Sequence, residues 1–381
     1  MSAHESREGI YLDYNATTPV CREARAAMEP FFLGGYGNPS SGYPLGADAK
    51  KALVRAREDT ARALGASPEE IVFTSCGSES NNLAVKGAAL SAPPGRKRVV
   101  VSEVEHPSVT NAALFLMELG FAVSFAPVDR RGVLDLDRLA GTVGNDCALV
   151  SVMHANNETG VVQPVAEAAR IARKHGALFH VDAAQSTGKV PVDAGALGAD
   201  LLTVVGHKVY APKGVAALYV RAGTKLTPLL HGGGQEGGLR SGTENVAFAS
   251  ALAAALTAAR EKLAYDAPRL SRLRDLLVSA LRAEFPDLVL HGEGAERLPN
   301  TAFVSFPGVW ADALLSRAAG LYASTGAACH HGAGKISHVL SAMGVDKEVA
   351  RGTVRLSLGR FTTEEECRRA AAILIAARRS L

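Results

Sequence analysis

Short apolar runs of strand length punctuate the first two thirds of the chain, at residues 71–74, 98–102, 148–153, 178–182, 201–205 and 215–220. Helix-length segments such as residues 165–175 separate several of them. Runs this short and continuous suit strands buried on both faces, which predicts an α/β unit built on a mainly parallel sheet with helices on either side. Ligands of such sheets gather at the carboxyl ends of the strands, and several polar motifs follow directly after a strand. The alanine-rich residues 246–263 predict a long helix joining this unit to the rest of the chain. Beyond it Leu270, Leu273, Leu277 and Leu281 recur at helical spacing, residues 301–306 and 353–358 read as strands, and a last helix begins near Thr363. This tail predicts a smaller α+β domain. The expected division is residues 15–259 for the large domain, and residues 1–14 with 260–381 for the small one.

Composition narrows the class. A chain of 381 residues with 47% hydrophobic content has enough apolar material for two cores. The formal charge is only +3 and Lys and Arg are interspersed with Asp and Glu, so no basic stripe marks a nucleic-acid partner. Residues 1–8 are polar and no run of 18 apolar residues occurs, so we expect no membrane partner and a cytoplasmic location. Five cysteines, at positions 21, 76, 147, 329 and 367, include no CxxC pair and are odd in number. That argues against a disulfide framework and against a bound metal.

Cys329 sits in Ala323-Ser324-Thr325-Gly326-Ala327-Ala328-Cys329-His330-His331-Gly332, a run of small residues that cannot build a core. Such a setting suits a thiol mounted on an accessible loop, although a lone cysteine is more often an inert small hydrophobe. Asp182-Ala183-Ala184-Gln185 and Gly206-His207-Lys208 each follow an apolar strand and supply an acid and an amine. A carboxylate at a buried strand end needs a cation or donors, and the protonated ring nitrogen of pyridoxal phosphate is such a cation; a helix cap is the alternative. A lysine placed like Lys208, taken alone, is most often a solvated loop charge. Acid, amine and thiol together suggest carbon–sulfur chemistry on an amino acid.

The chain resembles the cysteine desulfurase family of fold type I pyridoxal phosphate enzymes, in an ordered set of motifs from Tyr11 nearly to the C-terminus. They are Tyr11-Leu12-Asp13-Tyr14-Asn15-Ala16-Thr17-Thr18-Pro19, Gly37-Asn38-Pro39-Ser40-Ser41, Glu79-Ser80-Asn81-Asn82, Glu105-His106-Pro107, Asn156-Asn157-Glu158-Thr159-Gly160, Gly232-Gly233-Gly234-Gln235-Glu236, Arg240-Ser241-Gly242-Thr243 and Arg355-Leu356-Ser357-Leu358-Gly359-Arg360. The resemblance implies that Lys208 carries the cofactor covalently, that Asp182 pairs with its ring nitrogen and that His106 stacks on the ring. Asn157 and Gln185 would face the ring oxygen. Gly77 and Ser78, ahead of a helix, would hold the phosphate with His207 and with Thr243 of a neighbouring subunit. A homodimer is therefore implied.

Arg355 is the implied holder of the substrate carboxylate, because a planar guanidinium meets a carboxylate with two parallel hydrogen bonds; a strand-end ion pair is the plainer reading. Lys208 or His106 would remove the α-proton of L-cysteine, and Cys329 would capture the sulfur as a persulfide, leaving alanine. A sulfur-acceptor or scaffold protein would then relieve Cys329 of it. Three departures from the family pattern stand out: Cys76 in place of a usual glycine, Val205 in place of a frequent phosphate-binding serine, and Gly237 in place of a common arginine. Tyr43, Val205 and Ala327-Ala328-Cys329-His330 resemble selenocysteine lyases more closely, so L-selenocysteine is the alternative substrate. A catalytically silent sulfur-transfer scaffold and a generic aminotransferase are the remaining readings.

Overall fold

In the computed structural model the described residues are 9–325 and 336–381. Cys329, with His330 and His331, lies outside them. Seven strands form the central sheet: β1 (Ile71–Thr74), β2 (Arg98–Ser102), β3 (Ala122–Ala126), β4 (Cys147–Met153), β5 (Leu178–Asp182), β6 (Leu201–Val205) and β7 (Ala216–Val220), in the order β1-β7-β6-β5-β4-β2-β3. Neighbours from β6 to β3 run parallel, while β7 is antiparallel to both β6 and β1. It follows that β1 points the same way as the parallel set.

Alternate residues of each strand enter different cores, as period-two side-chain geometry requires. Ile71, Phe73, Val100, Val150, Val152, Leu202 and Val204 pack into one cluster, whose helical cover includes α1 (Pro44–Leu64) and Val165–Lys174. Val72, Val99, Val101, Leu149, Leu201 and Leu218 pack into the other, under α2 (Gly77–Leu90) and α3 (Pro107–Glu118). A sheet covered on both faces buries every residue of β4, β6 and β7, which is why these strands read as unbroken apolar runs. Strand β3 lies at an edge and is largely exposed or half-buried, and no comparable run marks it in the sequence.

The expected linking helix and the leucine repeat after it are one helix of 39 residues, α4 (Val246–Glu284). Its first half packs Val246, Leu252 and Leu256 against the sheet, and its second half packs Leu270, Leu273, Leu277 and Leu281 into a separate core with Ile10, Leu12, Val304, Leu356 and Leu374. Pro268 lies inside it. Proline removes one backbone donor there, and apolar packing on both sides holds the helix through the gap. The second core encloses a four-stranded antiparallel sheet of β8 (Val289–Leu290), β9 (Thr301–Ser305), β10 (Ser324–Thr325) and β11 (Thr353–Ser357), in the order β10-β11-β9-β8. A capping box at Thr363 and Glu366 starts the last helix, Glu364–Arg379. Among the described residues no helix is long and apolar enough to cross a membrane.

Residues 232–243 lie against the sheet edge through buried charge. Glu236 accepts two hydrogen bonds from Arg57, at 2.8 and 2.6 Å, and one from the Phe73 N–H at 2.8 Å. Gly237, one of the departures, has φ +64° with open space around a would-be Cβ. Glycine adopts that left-handed conformation without the strain an arginine would meet. Because the Glu236 side chain is 2% exposed, removing its cation strands a buried carboxylate. Arg57→Ala should lower the unfolding free energy by about 3 kcal/mol, measured by urea denaturation, whereas a change under about 0.5 kcal/mol would show that water takes the place of the guanidinium.

Candidate active site

Five segments, each following a strand that points the same way, converge on one cavity of about 340 Å3. Cys76, Gly77 and Ser78 come after β1, His106 after β2, Ala155 and Asn157 after β4, Ala184 and Gln185 after β5, and His207 and Lys208 after β6. Asn15 and Arg355 reach it from the second core's side. The volume falls in the usual range for a small-molecule site, roughly 300 to 1,000 Å3.

Asp182 forms one wall. It is 4% exposed, and its carboxylate accepts from Asn81 Nδ2 at 2.8 Å and from the Ala184 N–H at 2.9 Å. Two donors leave lone pairs for a third partner. Asn81 Nδ2 also donates to Ser108 Oγ at 2.8 Å, and Ser108 Oγ lies 2.8 Å from His106 Nδ1. The Ser108 N–H donates to the same ring nitrogen at 3.1 Å, so Nδ1 is an acceptor and the neutral ring carries its proton on Nε2. Burial, with the nearby Lys208 charge, holds the His106 pKa below its ordinary value despite the opposing pull of Asp182. Behind this wall, burial pushes the Glu105 carboxyl up to about 8, and the Asp182 charge adds to it against hydrogen bonds from Ser102 Oγ and the Met153 N–H.

Lys208 stands opposite on a short 3-10 turn, Gly206–Lys208. Its Nζ donates to the Asn15 carbonyl at 2.6 Å and the Ala16 carbonyl at 2.7 Å. Gln185 Nε2 donates to the same Asn15 oxygen at 3.0 Å. Near them the Arg355 guanidinium, carried at the centre of β11, donates to Asp13 Oδ1 at 2.8 Å and to the Asn157 carbonyl at 3.1 Å. Its Nε is buried with no hydrogen-bond partner among the described residues, as is Asn81 Oδ1. Buried polar atoms are normally paired, and these two belong to residues that line the cavity.

At the far end, α2 begins with Cys76 in the N-cap position and no side-chain cap. Its first N–H groups are therefore available to an anion. Burial, with the Lys208 and Lys213 charges, pushes the His207 pKa down to about 4, so at neutral pH it offers a neutral ring. Val205 lines this corner, and a Cβ placed on Gly77 would sit 2.6 Å from Val205 Cγ2. The glycine is thus what lets the helix end approach the valine.

The structure brings together Lys208, Asp182, Gln185, His106, Asn157, Gly77, Ser78, His207 and Arg355. Thr243 does not join them within one chain. It lies in a separate depression with Arg240 and Glu236. Cys329 lies outside the described residues. Asn15, Asn81 and Ser108 also line the cavity, although motif reading gave them no role. Asn15 and Asn81 sit inside quoted motifs, and Ser108 follows His106 by two positions. A carboxylate, an amine, a neutral imidazole and an uncapped helix N-terminus on one cavity suit the ring nitrogen, aldehyde, ring face and phosphate of pyridoxal phosphate.

The aminotransferase class-V family model matches residues 10–369. The chain belongs to that family. It is similar to cysteine desulfurase NifS of Azotobacter vinelandii, with 45% identity over 94% of this chain and 89% of that protein. It is also similar to cysteine desulfurase IscS of Dictyoglomus turgidum, with 43% identity over 94% of this chain and 91% of the other. Among solved structures a NifS-like protein superposes with a TM-score of 0.92 and 38% identity, covering 98% of this chain and 100% of its own. The match to class V establishes the fold type I architecture.

The Gly77–Val205 contact makes two of this member's residues interdependent. Gly77→Ala alone should destabilise the protein by about 1–3 kcal/mol through overpacking. In a Val205→Ser background, where Cγ2 is gone, the same change should be nearly neutral, a coupling of about 1 kcal/mol or more by denaturant melts. Additive effects would mean that the helix end shifts freely.

Proposed function

We propose that the protein is a pyridoxal phosphate-dependent cysteine desulfurase, converting L-cysteine to L-alanine and capturing the sulfur as a persulfide on Cys329. The observation that carries this reading is the placement of Lys208, Asp182, His106 and Arg355 on one cavity. The names of the relatives favour sulfur over selenium as the atom removed, so the selenocysteine lyase reading is set aside. The cofactor, when bound, supplies an electron sink for the bond changes at the substrate α-carbon.

The chain's own residues do the rest. Lys208 holds the cofactor and Asp182 keeps the ring nitrogen protonated, with Asn81 and the Ala184 N–H fixing the carboxylate. Gln185 and Asn157 face the ring oxygen, and Gly77, Ser78 and His207 receive the phosphate, completed by Thr243 of a second subunit. Arg355 receives the α-carboxylate of L-cysteine, its plane set by Asp13 and the Asn157 carbonyl. Of the two candidate bases, Lys208 is favoured. His106 Nδ1 is occupied as an acceptor and its Nε2 carries the proton, which suits it to donating a proton. The Cys329 thiolate then attacks the substrate sulfur: an S–S bond forms, the Cβ–S bond breaks, and protonation of the carbon fragment yields alanine.

The clusters on the two faces of the large sheet, and the separate cluster around the second half of α4, support a division into residues 15–259 and residues 1–14 with 260–381. A twofold homodimer fits the exposed Phe32, Leu33, Tyr36 and Tyr43 as well as the position of Thr243. A persulfide also requires a recipient, so a sulfur-acceptor protein is the remaining partner.

One experiment tests the scheme. With L-cysteine the protein should form alanine and a persulfide located on Cys329 by mass spectrometry. Cys329→Ala should lose both while still retaining the cofactor, and Lys208→Ala should lose the borohydride-trapped cofactor adduct. Undiminished alanine from Cys329→Ala, or an adduct mapped to Lys189 or Lys213, overturns it.

A further inference from the structure

Lys189 has no place in the mechanism, yet it is an almost completely buried amine just behind the site. It is 8% exposed, and its Nζ donates to Gln185 Oε1 at 2.8 Å. It does not line the main cavity. Its other side faces an enclosed space of about 20 Å3 shared with Lys208, Asn300, Asp266 and Arg360, enough for one water molecule, which needs roughly 10–15 Å3. Gly188 at φ +74° turns the chain so that Lys189 comes back beneath Gln185, and a Cβ at Gly188 would press on Ala259 at 3.0 Å.

The consequence lies in the Gln185 amide, which has an acceptor end and a donor end. Lys189 presents N–H bonds to one end, and the Asn15 carbonyl, an acceptor only, meets the other at 3.0 Å. Both partners demand the same orientation, with Oε1 toward Lys189 and Nε2 toward Asn15. Nε2 has two hydrogens, and one is used by Asn15. The second is left for the cavity that Gln185 lines. Gln185 is thereby a donor to whatever occupies the site, as an electron-rich ring oxygen requires. A rotated amide would oppose two oxygens at Asn15 and turn its carbonyl toward that ring oxygen. Burial, with the Lys208 and Arg355 charges, pushes the Lys189 amine down to about 7; its N–H bonds serve the amide in either protonation state.

We infer that Lys189 is a positioning residue: by holding Gln185 Oε1 it fixes the amide as a hydrogen-bond donor toward the cofactor and so slows cofactor release. This rests on the reading that the cavity holds pyridoxal phosphate. The test is a double-mutant cycle on the holoenzyme, with Lys189→Met, Gln185→Leu and the pair, following cofactor release by absorbance after dilution into apo-protein trap. The unfolding midpoint of each apo form is recorded alongside. Lys189→Met should release the cofactor about tenfold faster than wild type. In the Gln185→Leu background the same change should alter release less than twofold, because there is no amide left to hold. The apo unfolding midpoint of Lys189→Met should change little, because relief of the desolvated amine offsets the unpairing of Gln185 Oε1.

Equal acceleration in both backgrounds would overturn the inference, as would unchanged release from Lys189→Met. A fall in apo stability that tracks the faster release would likewise mark a purely structural role. A wild-type protein that retains no pyridoxal phosphate at all would defeat the functional reading itself, a result distinct from each of these.

Discussion

A single buried asparagine joins the small sheet to the chemistry. Asn15 is 1% exposed and every polar group it has is paired. Its N–H donates to Ser357 Oγ, Nδ2 donates to Thr301 Oγ1 and the Asn157 carbonyl, Oδ1 accepts from Asn300 Nδ2, and its carbonyl accepts from Lys208 and Gln185. Three of these partners belong to the second core's sheet or its edge and three to loops at the strand ends of the large sheet. Leaving even one such buried group unpaired costs about 1–3 kcal/mol, so the two halves are held in one register by a network that tolerates little rearrangement. The same constraint holds Arg355 and Lys208 in place on one cavity, since Asn157 and Asn15 accept from them.

Within that frame, desolvation decides which groups carry charge. Burial drives His106 and His207 toward the neutral ring and Glu105 toward the neutral acid. It also pushes Glu158 up to about 7 against hydrogen bonding from Ser337 and the Arg355 charge. Asp182, Lys208 and Arg355 line the cavity, and Asp13 bears on it through Arg355. Each acid has a definite neighbour. Asp13 is paired with Arg355 at 2.8 Å, while Asp182 accepts from two neutral donors, Asn81 Nδ2 and the Ala184 N–H. Asp182 therefore keeps acceptor capacity to spare, and the Arg355 guanidinium is already oriented by Asp13 and the Asn157 carbonyl.

Much of the architecture was legible because strands buried on both faces leave unbroken apolar runs. The expected limits of β1, β2, β5 and β6 coincide with those observed, and β4 and β7 differ by one residue at the start. The edge strand β3 was missed because half-exposed positions carry no such signature. Helix α4 was read as two pieces because alanine marks its first half and leucine its second, a change of packing partner within one element. Topology made positions at or just after strand ends candidates, and the resemblance to the family, not position, singled out Asp182 and Lys208 among them. The role of Asn15 was not legible: its partners Thr301 and Ser357 lie 286 and 342 positions away, a proximity no local pattern encodes. Lys189 was invisible for another reason, since a lysine in a Gly-Lys pair reads as a surface turn until its burial is known.

The phosphate corner shows how departures from a family pattern make physical sense together. Val205 withholds a hydroxyl that many relatives are expected to offer, yet its Cγ2 fills the space into which a residue-77 side chain would project. Gly77 is then required, and its missing side chain bares the first N–H groups of α2 to the anion. Backbone donors thus replace a side-chain donor. The same helix start is steadied by Glu79, whose carboxylate is taken up by Arg240 at 2.8 Å and the Ser75 N–H at 2.7 Å. Although burial opposes ionisation there, those hydrogen bonds hold the Glu79 pKa below its usual value. Arg240 leads directly into Thr243, so the clamp that orders the phosphate helix also fixes the segment proposed to reach the neighbouring subunit. One ion pair, Arg240 with Glu79, thus ties the start of α2 to residues 240–243.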